Sequence, residues 1–242
     1  MDGNISVWRG ERPEMVERHQ NRQFVRIHVG QEVRVRLVDE DGRLHDYTKS
    51  VTLTHGTETS VRILGFRHDE LASGGVAGIS FEFANMPKMH EMNQSLTNSG
   101  GWEASSMREW LNDDFLDLLP SDLQDKVKPV RKLTNNSGGH YALDASSVTA
   151  TEDRLWLLSL AEVYGNTSDA VYDAEGDQYQ LYADQEVTIN NYSFCVKGGH
   201  DDWWLRSPSR FNSTQALHVG TTGYRLCDFS DVELGVSPGF CI

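Results

Sequence analysis

Trp203-Trp204-Leu205-Arg206-Ser207 sets two large aromatic side chains side by side and an arginine two positions later. In an extended strand successive side chains point to opposite faces. One tryptophan is therefore expected to enter the core and the other to line a surface or an interlayer. Arg206 in such a strand demands a buried partner, because an unpaired buried charge is costly. These three residues, Trp203, Trp204 and Arg206, are read as scaffold. Phe194–Val196, Ala216–Val219 and Tyr224–Cys227 read as further short strands, punctuated by Gly198, Gly199, Gly220, Gly223 and Gly235.

The rest of the chain has a different texture at each end. Residues 1–23 are polar, arginine-rich and aperiodic, and are expected to be a tail. A domain is expected over 24–242, with a β-rich N-terminal part. Val33, Val35 and Leu37 alternate with Arg34 and Arg36, a period of two. Asp41-Gly42 is placed as a hairpin turn after them. Tyr47–Leu53, Thr59–Phe66 and Ile79–Phe83 follow as strand candidates. The middle of the chain turns helical. Ser106-Met-Arg-Glu109, Ser121-Asp-Leu-Gln124 and Ser159-Leu-Ala-Glu162 each fit a capping box. Met107, Trp110, Leu111 and Leu118 would share one apolar face of the first helix, which stops at Pro120. The third helix ends at Gly165.

Charge narrows the function classes. The chain carries 22 Lys+Arg against 36 Asp+Glu, a net charge of −14. Nucleic acid and anionic membranes call for a basic face, so neither is an expected partner. The basic opening is either a solvated tail or a dock for an acidic partner. No run of apolar residues is long enough for a membrane span, and Met1 to Gly10 lack the apolar centre of an export signal. Cys195, Cys227 and Cys241 lack C-x-x-C spacing and are expected as buried free thiols.

Three constellations could carry chemistry. Gly235-Val-Ser-Pro-Gly239 matches G-x-S-x-G, but a nucleophile elbow uses the backbone N–H after the serine, and Pro238 has none. A turn with a terminal strand is expected instead. His68-Asp69-Glu70 and His200-Asp201-Asp202 hold metal-ligand residue types, yet neighbours on a strand diverge and do not chelate together. Asp169, Asp173, Glu175 and Asp177 lack the spacing of a calcium loop. No metal, cofactor or catalytic residue is assigned.

Several strings together resemble a bacterial and phage-encoded family with a C-type-lectin-like fold. They are Gly65-Phe-Arg-His-Asp69, Asn98-Ser-Gly-Gly-Trp-Glu-Ala-Ser-Ser-Met-Arg-Glu-Trp-Leu-Asn112, Leu118-Leu-Pro-Ser-Asp-Leu123, Leu155-Trp-Leu-Leu-Ser-Leu-Ala-Glu-Val-Tyr-Gly165, Trp203-Trp-Leu-Arg-Ser-Pro208 and Gly235-Val-Ser-Pro-Gly-Phe-Cys-Ile242. The family's fold is shared with formylglycine-generating enzymes, and some members are variable proteins of diversity-generating retroelements. The resemblance implies an α+β fold, with a mixed, mostly antiparallel sheet and two or three helices. It implies that Ser209 to Leu234 is a displayed surface between two scaffold strings. Mutagenesis in such elements acts on AAY codons, which cannot yield Lys, Met or Trp, and this segment contains none of them. Gln215 and Glu233 are also beyond such codons and should be fixed positions. The calcium-site triplets of sugar-binding lectins and the catalytic cysteine pair of the formylglycine-generating enzymes find no match here.

Within that segment Arg210, Phe211, Leu217, His218, Tyr224, Leu226, Asp228 and Phe229 are the candidate ligand-binding residues. They mix aromatic, charged and apolar groups between turns, as protein-binding surfaces do. The expected function is non-enzymatic binding of a protein or glycan on a cell surface, by a phage tail or bacterial surface protein. Two rivals stand beside it. An enzyme would need a concave pocket holding His200 and Asp201 near Trp203. An assembly module would bury an apolar patch over Phe211 and Phe229 in an oligomer.

Overall fold

The structure, a computed structural model, describes residues 24–29 and 31–36 as backbone, then 42–44, 46–138, 145–198 and 201–242. The chain divides into two units, Met1–Arg43 and Leu44–Ile242. In the first, β1 (Phe24–Val29) and β2 (Gln31–Arg36) form an antiparallel hairpin, with Phe24 opposite Arg36. β2 pairs with β1; Asp41 of the expected Asp41-Gly42 hairpin turn lies outside the described residues.

The second unit is α+β, built on two five-stranded sheets that are mostly antiparallel. Its elements in chain order begin with β3 (Thr48–Thr52), β4 (Glu58–Phe66), β5 (Ile79–Phe83) and β6 (Lys88–Glu91). Then come α1 (Ser106–Trp110), α2 (Ser121–Gln124), β7 (Val130–Asn135), β8 (Val148–Asp153) and β9 (Leu155–Trp156). Three short helices follow, α3 (Leu160–Tyr164), α4 (Ala170–Asp173) and α5 (Gln180–Asp184). The chain closes with β10 (Trp203–Pro208), β11 (Gln215–Val219), β12 (Arg225–Phe229), β13 (Glu233–Val236) and β14 (Gly239–Cys241). Two or three helices were expected; five short ones are present among the described residues.

One sheet runs β3-β4-β5-β14-β9, so the last strand lies between two early ones. β3 to β5 lie where strands were expected, and Phe81 stacks on Phe240 across β5 and β14 at 5.2 Å. The other sheet runs β12-β11-β10-β13-β6, with only β10 and β13 parallel. Ser237 and Pro238 carry the chain from β13 in this sheet to β14 in the other, which is the turn and terminal strand expected of that string.

Local signals failed in identifiable ways. Ser105, not Ser106, caps α1 by accepting the Arg108 N–H. α2 has no side-chain cap, and Pro120 occupies its N-cap position. Only Ser159 and Glu162 form a complete capping box, and α3 ends at Gly165 with φ of 70°. After α1 the chain makes a π turn over Leu111–Phe115. Its extra residue rotates the apolar face, so Phe115, Leu116 and Leu119 are buried and Leu118 is only half-buried. Phe194, placed in a strand by the sequence, lies in a short 3-10 turn at Ser193–Cys195.

Candidate ligand-binding surface

β10 supplies the floor. Trp203 and Trp204 face opposite ways, as alternation requires, yet both are fully buried, because each face of the strand is covered. The Trp203 indole N–H donates to the Cys195 carbonyl at 3.0 Å, with the Lys197 ammonium 4.6 Å from its ring centre. The Trp204 N–H donates to the His90 carbonyl at 2.9 Å. Arg206 has the buried partner that its position demanded. Its guanidinium grips both carboxylate oxygens of Glu162, one at 2.9 Å, and donates to the Thr134 hydroxyl at 2.9 Å. Glu162 also lies 2.5 Å from Lys132, which holds Asp69 at 2.6 Å.

This buried network has a weak point. The Glu175 carboxyl accepts the Asn135 N–H at 3.0 Å and the Ser207 hydroxyl, but no ammonium or guanidinium among the described residues reaches its oxygens. Burial therefore dominates and pushes its pKa up to about 7. Burial also works against Glu162, yet the adjacent Arg206 and Lys132 hold its carboxyl below the usual range.

Residues 209–234 continue this sheet: β11 and β12 run outward from β10, and β13 begins on its other side. The loop after β10 is clamped by Asn98, whose side-chain amide donates to the carbonyls of Ser209 and Asn212 at 2.9 Å and Gln215 at 2.6 Å. Ser230 is held by the carbonyls of Thr97 at 3.0 Å and Thr214 at 3.2 Å. The β11–β12 turn depends on Gly223. Its φ is +86°, and a Cβ there would fall 2.1 Å from the Tyr192 carbonyl oxygen. The Tyr164 hydroxyl fixes that glycine's own carbonyl at 2.6 Å.

The eight candidate residues divide. Phe211 is 68% exposed, Phe229 and Leu226 each 46% and Tyr224 40%. Arg210 and Asp228 are half-buried. The Arg210 guanidinium lies over the Phe211 ring at 4.9 Å and pairs with Asp169 at 2.6 Å, so the loop presents a cation on an aromatic face. Tyr224 meets Tyr192 edge-on at 5.1 Å. Leu217 and His218 are corrections. Both are buried: consecutive residues of a strand point to opposite faces, so both faces of β11 are covered at this point. His218 meets Trp204 edge-on at 5.9 Å and lies 3.3 Å from Asp202. Burial lowers its pKa against the opposing pull of Asp202 and Asp228.

Sequence reasoning missed Cys227. It was expected buried like Cys195 and Cys241, but it sits exposed on the outer strand. The second buried cluster was also missed. Glu82 binds Arg62 at 2.7 Å, Lys197 at 2.7 Å and the Tyr182 hydroxyl at 3.0 Å, which ties β5 to β4 and α5. Lys197 donates to Ser237, the serine of the G-x-S-x-G string, at 2.8 Å, and both are buried under β14. Three of the four acidic residues of the 169–177 loop are spent internally, Asp169 on Arg210, Asp173 on Thr167 at 2.7 Å and Glu175 on Ser207, while Asp177 is exposed. Among the described residues no group of three metal-ligating side chains converges. His200 lies outside the described residues, and Asp201 is exposed. A cleft of 580 Å³ opens elsewhere, lined by Arg108, Asn112, Asp113, Glu152 and Arg154. Arg108 there is already bound to Asp153.

The model of one protein family, described as a domain of unknown function (DUF6273), matches residues 76–242. That stretch holds both halves of the surface scaffold but starts after β4, which pairs directly with β5 in the same sheet. No curated protein and no solved structure matches the chain. Among the described residues no helix is long and apolar enough to cross a membrane.

Proposed function

We propose, from the premise that this chain belongs to the DUF6273 family, that residues 209–234 are a ligand-binding surface on a rigid C-type-lectin-like scaffold. The protein binds its ligand and does no chemistry on it. The ligand is a protein or glycan on a cell surface, and the chain is the variable protein of a diversity-generating retroelement.

One observation carries this reading. Phe211, Tyr224, Leu226 and Phe229 are large apolar side chains left exposed between positions 211 and 229, towards the edge of a sheet whose central strand, β10, is buried at every residue. Exposed aromatics on a fixed base give large contact area at low entropic cost. The Asn98 clamp and the Arg206 network supply the fixed base. The mixed, mostly antiparallel sheets with short helices suit the C-type-lectin-like assignment.

The test is deep sequencing of codons 190–242 in the natural source population. Diversity is expected at exposed positions such as 210, 211 and 229. Gln215, Glu233 and the buried Leu217, His218 and Val219 should stay constant. A uniform segment, or variation spread evenly over buried positions, overturns the diversified-surface reading.

A further inference from the structure

β12 is the outermost strand of its sheet, and its ladder fixes which backbone groups point outward. The Gly220 N–H donates to the Tyr224 carbonyl at 2.7 Å, and the Ser230 N–H to the Thr214 carbonyl at 2.9 Å. With Gln215 opposite Phe229 and Val219 opposite Arg225, this turns the N–H and C=O of Leu226 and Asp228 toward β11. Those of Arg225, Cys227 and Phe229 point away. Phe229 is already engaged: its N–H donates to the Asp228 carboxylate at 2.7 Å and its carbonyl accepts the Val232 N–H at 3.2 Å. The outward groups of Arg225 and Cys227 are left for another strand.

We propose that β12 pairs antiparallel with β12 of a second copy of this chain, about a two-fold axis at Leu226. In that register Arg225 of each copy faces Cys227 of the other, and each such pair exchanges both of its backbone hydrogen bonds. Leu226, 46% exposed in the single chain, packs against its own counterpart in the closest kind of cross-strand pair. Tyr224 faces Asp228 of the second copy, a phenol donor opposite a carboxylate acceptor. The neighbouring two-fold register, centred on Cys227, is disfavoured. It would set Leu226 against Asp228 and call on the engaged N–H and carbonyl of Phe229.

The inference divides the surface of the ligand reading: it takes Tyr224, Leu226 and Asp228 into the contact between copies and leaves Arg210, Phe211 and Phe229 to the ligand. Those residues would then be presented twice, once from each copy, so that ligand binding gains from bivalency. Each chain carries −14, so repulsion opposes the pairing and added salt should strengthen it.

The experiment is sedimentation velocity of the full chain over a concentration series, beside Leu226→Lys and Phe211→Ala. Wild type and Phe211→Ala should reach a dimer, and Leu226→Lys should stay monomeric, with the melting temperature that wild type shows when dilute enough to be monomeric. A second variant, Leu226→Cys in a Cys227→Ser background, should form an interchain disulfide on mild oxidation. Facing residues in such a pair lie about 4.5 Å apart at Cα, within disulfide reach. A wild-type chain that stays monomeric throughout the series overturns the proposal. So does a Leu226→Lys dimer, or cross-linking through native Cys227 in place of position 226.

Discussion

Arg206 and Glu162 meet as a two-pronged ion pair in which neither side chain reaches solvent, and the same carboxylate closes the capping box of α3 by accepting the Ser159 N–H at 3.0 Å. One group thus joins β10 to the start of a helix 44 residues earlier. Removing one partner strands the other charge in the interior. Glu162→Ala should cost about 3–5 kcal/mol in urea unfolding. Replacing both, Arg206→Met with Glu162→Leu, should cost less than the two single changes added. Because the folded carboxyl sits below its ordinary range, its contribution is present near neutral pH and lost as pH falls through that range. Additive single and double variants would overturn the coupling.

Glu175 gives the opposite pH signature. Its pKa rises from 4.5 unfolded to about 7 folded, so the native state holds the proton more tightly. The stability it supplies is full below pH 4.5 and is lost as pH rises toward about 7. The change amounts to about 3 kcal/mol by the usual conversion of a pKa shift. Glu175→Gln should flatten stability over that window, as read by denaturant midpoints at successive pH values. A wild-type profile that does not fall there would remove the assignment.

Trp204 is fully buried with its indole N–H satisfied. Trp204→Ala should cost about 3–5 kcal/mol, from the lost packing and the cavity left behind. A loss under about 1 kcal/mol would mean that the site collapses around the change or is open to solvent.

Asn98 holds three carbonyls of one loop from 111 to 117 residues away in sequence. Asn98→Ala leaves those carbonyls without their donor and should cost about 1–3 kcal/mol. Hydrogen exchange should speed up across residues 209–215 more than in β10. Equal exchange in both regions would show that the loop is held by other contacts.

Phe211 and Phe229 test the surface itself. Both are exposed, so alanine at either position should shift unfolding stability by no more than about 0.5 kcal/mol. Their effect should appear in ligand binding alone. A larger stability loss at either position would make it part of the fold and take it out of the surface.

Apolar runs between turn residues were a dependable guide for β4, β5, β10 and β11, which lie where the sequence put them, but β7 and β8 were missed. Four exposed members of the candidate surface were legible for the same reason, since they stand between turns. Leu217 and His218 were not, because a sequence does not say whether both faces of a strand are covered. Helices were misjudged where a single residue decides: the π turn after Trp110 shifts every later side chain round the axis. The charge clusters at Glu82 and Glu162 were invisible because their members come from strands and helices far apart in the chain.

By itself the sequence determined that this chain buries a tryptophan-rich strand, needs a counter-ion for Arg206, and follows it with an aromatic, turn-rich segment. Those are local facts, set by alternation, burial cost and glycine geometry. Tertiary structure decided which carboxylate answers Arg206, that both faces of β10 are covered, and that β12 ends its sheet with the backbone of Arg225 and Cys227 turned outward. Such outcomes depend on which strands become neighbours, and pairing across long chain separations is settled by the whole packed core rather than by any one segment.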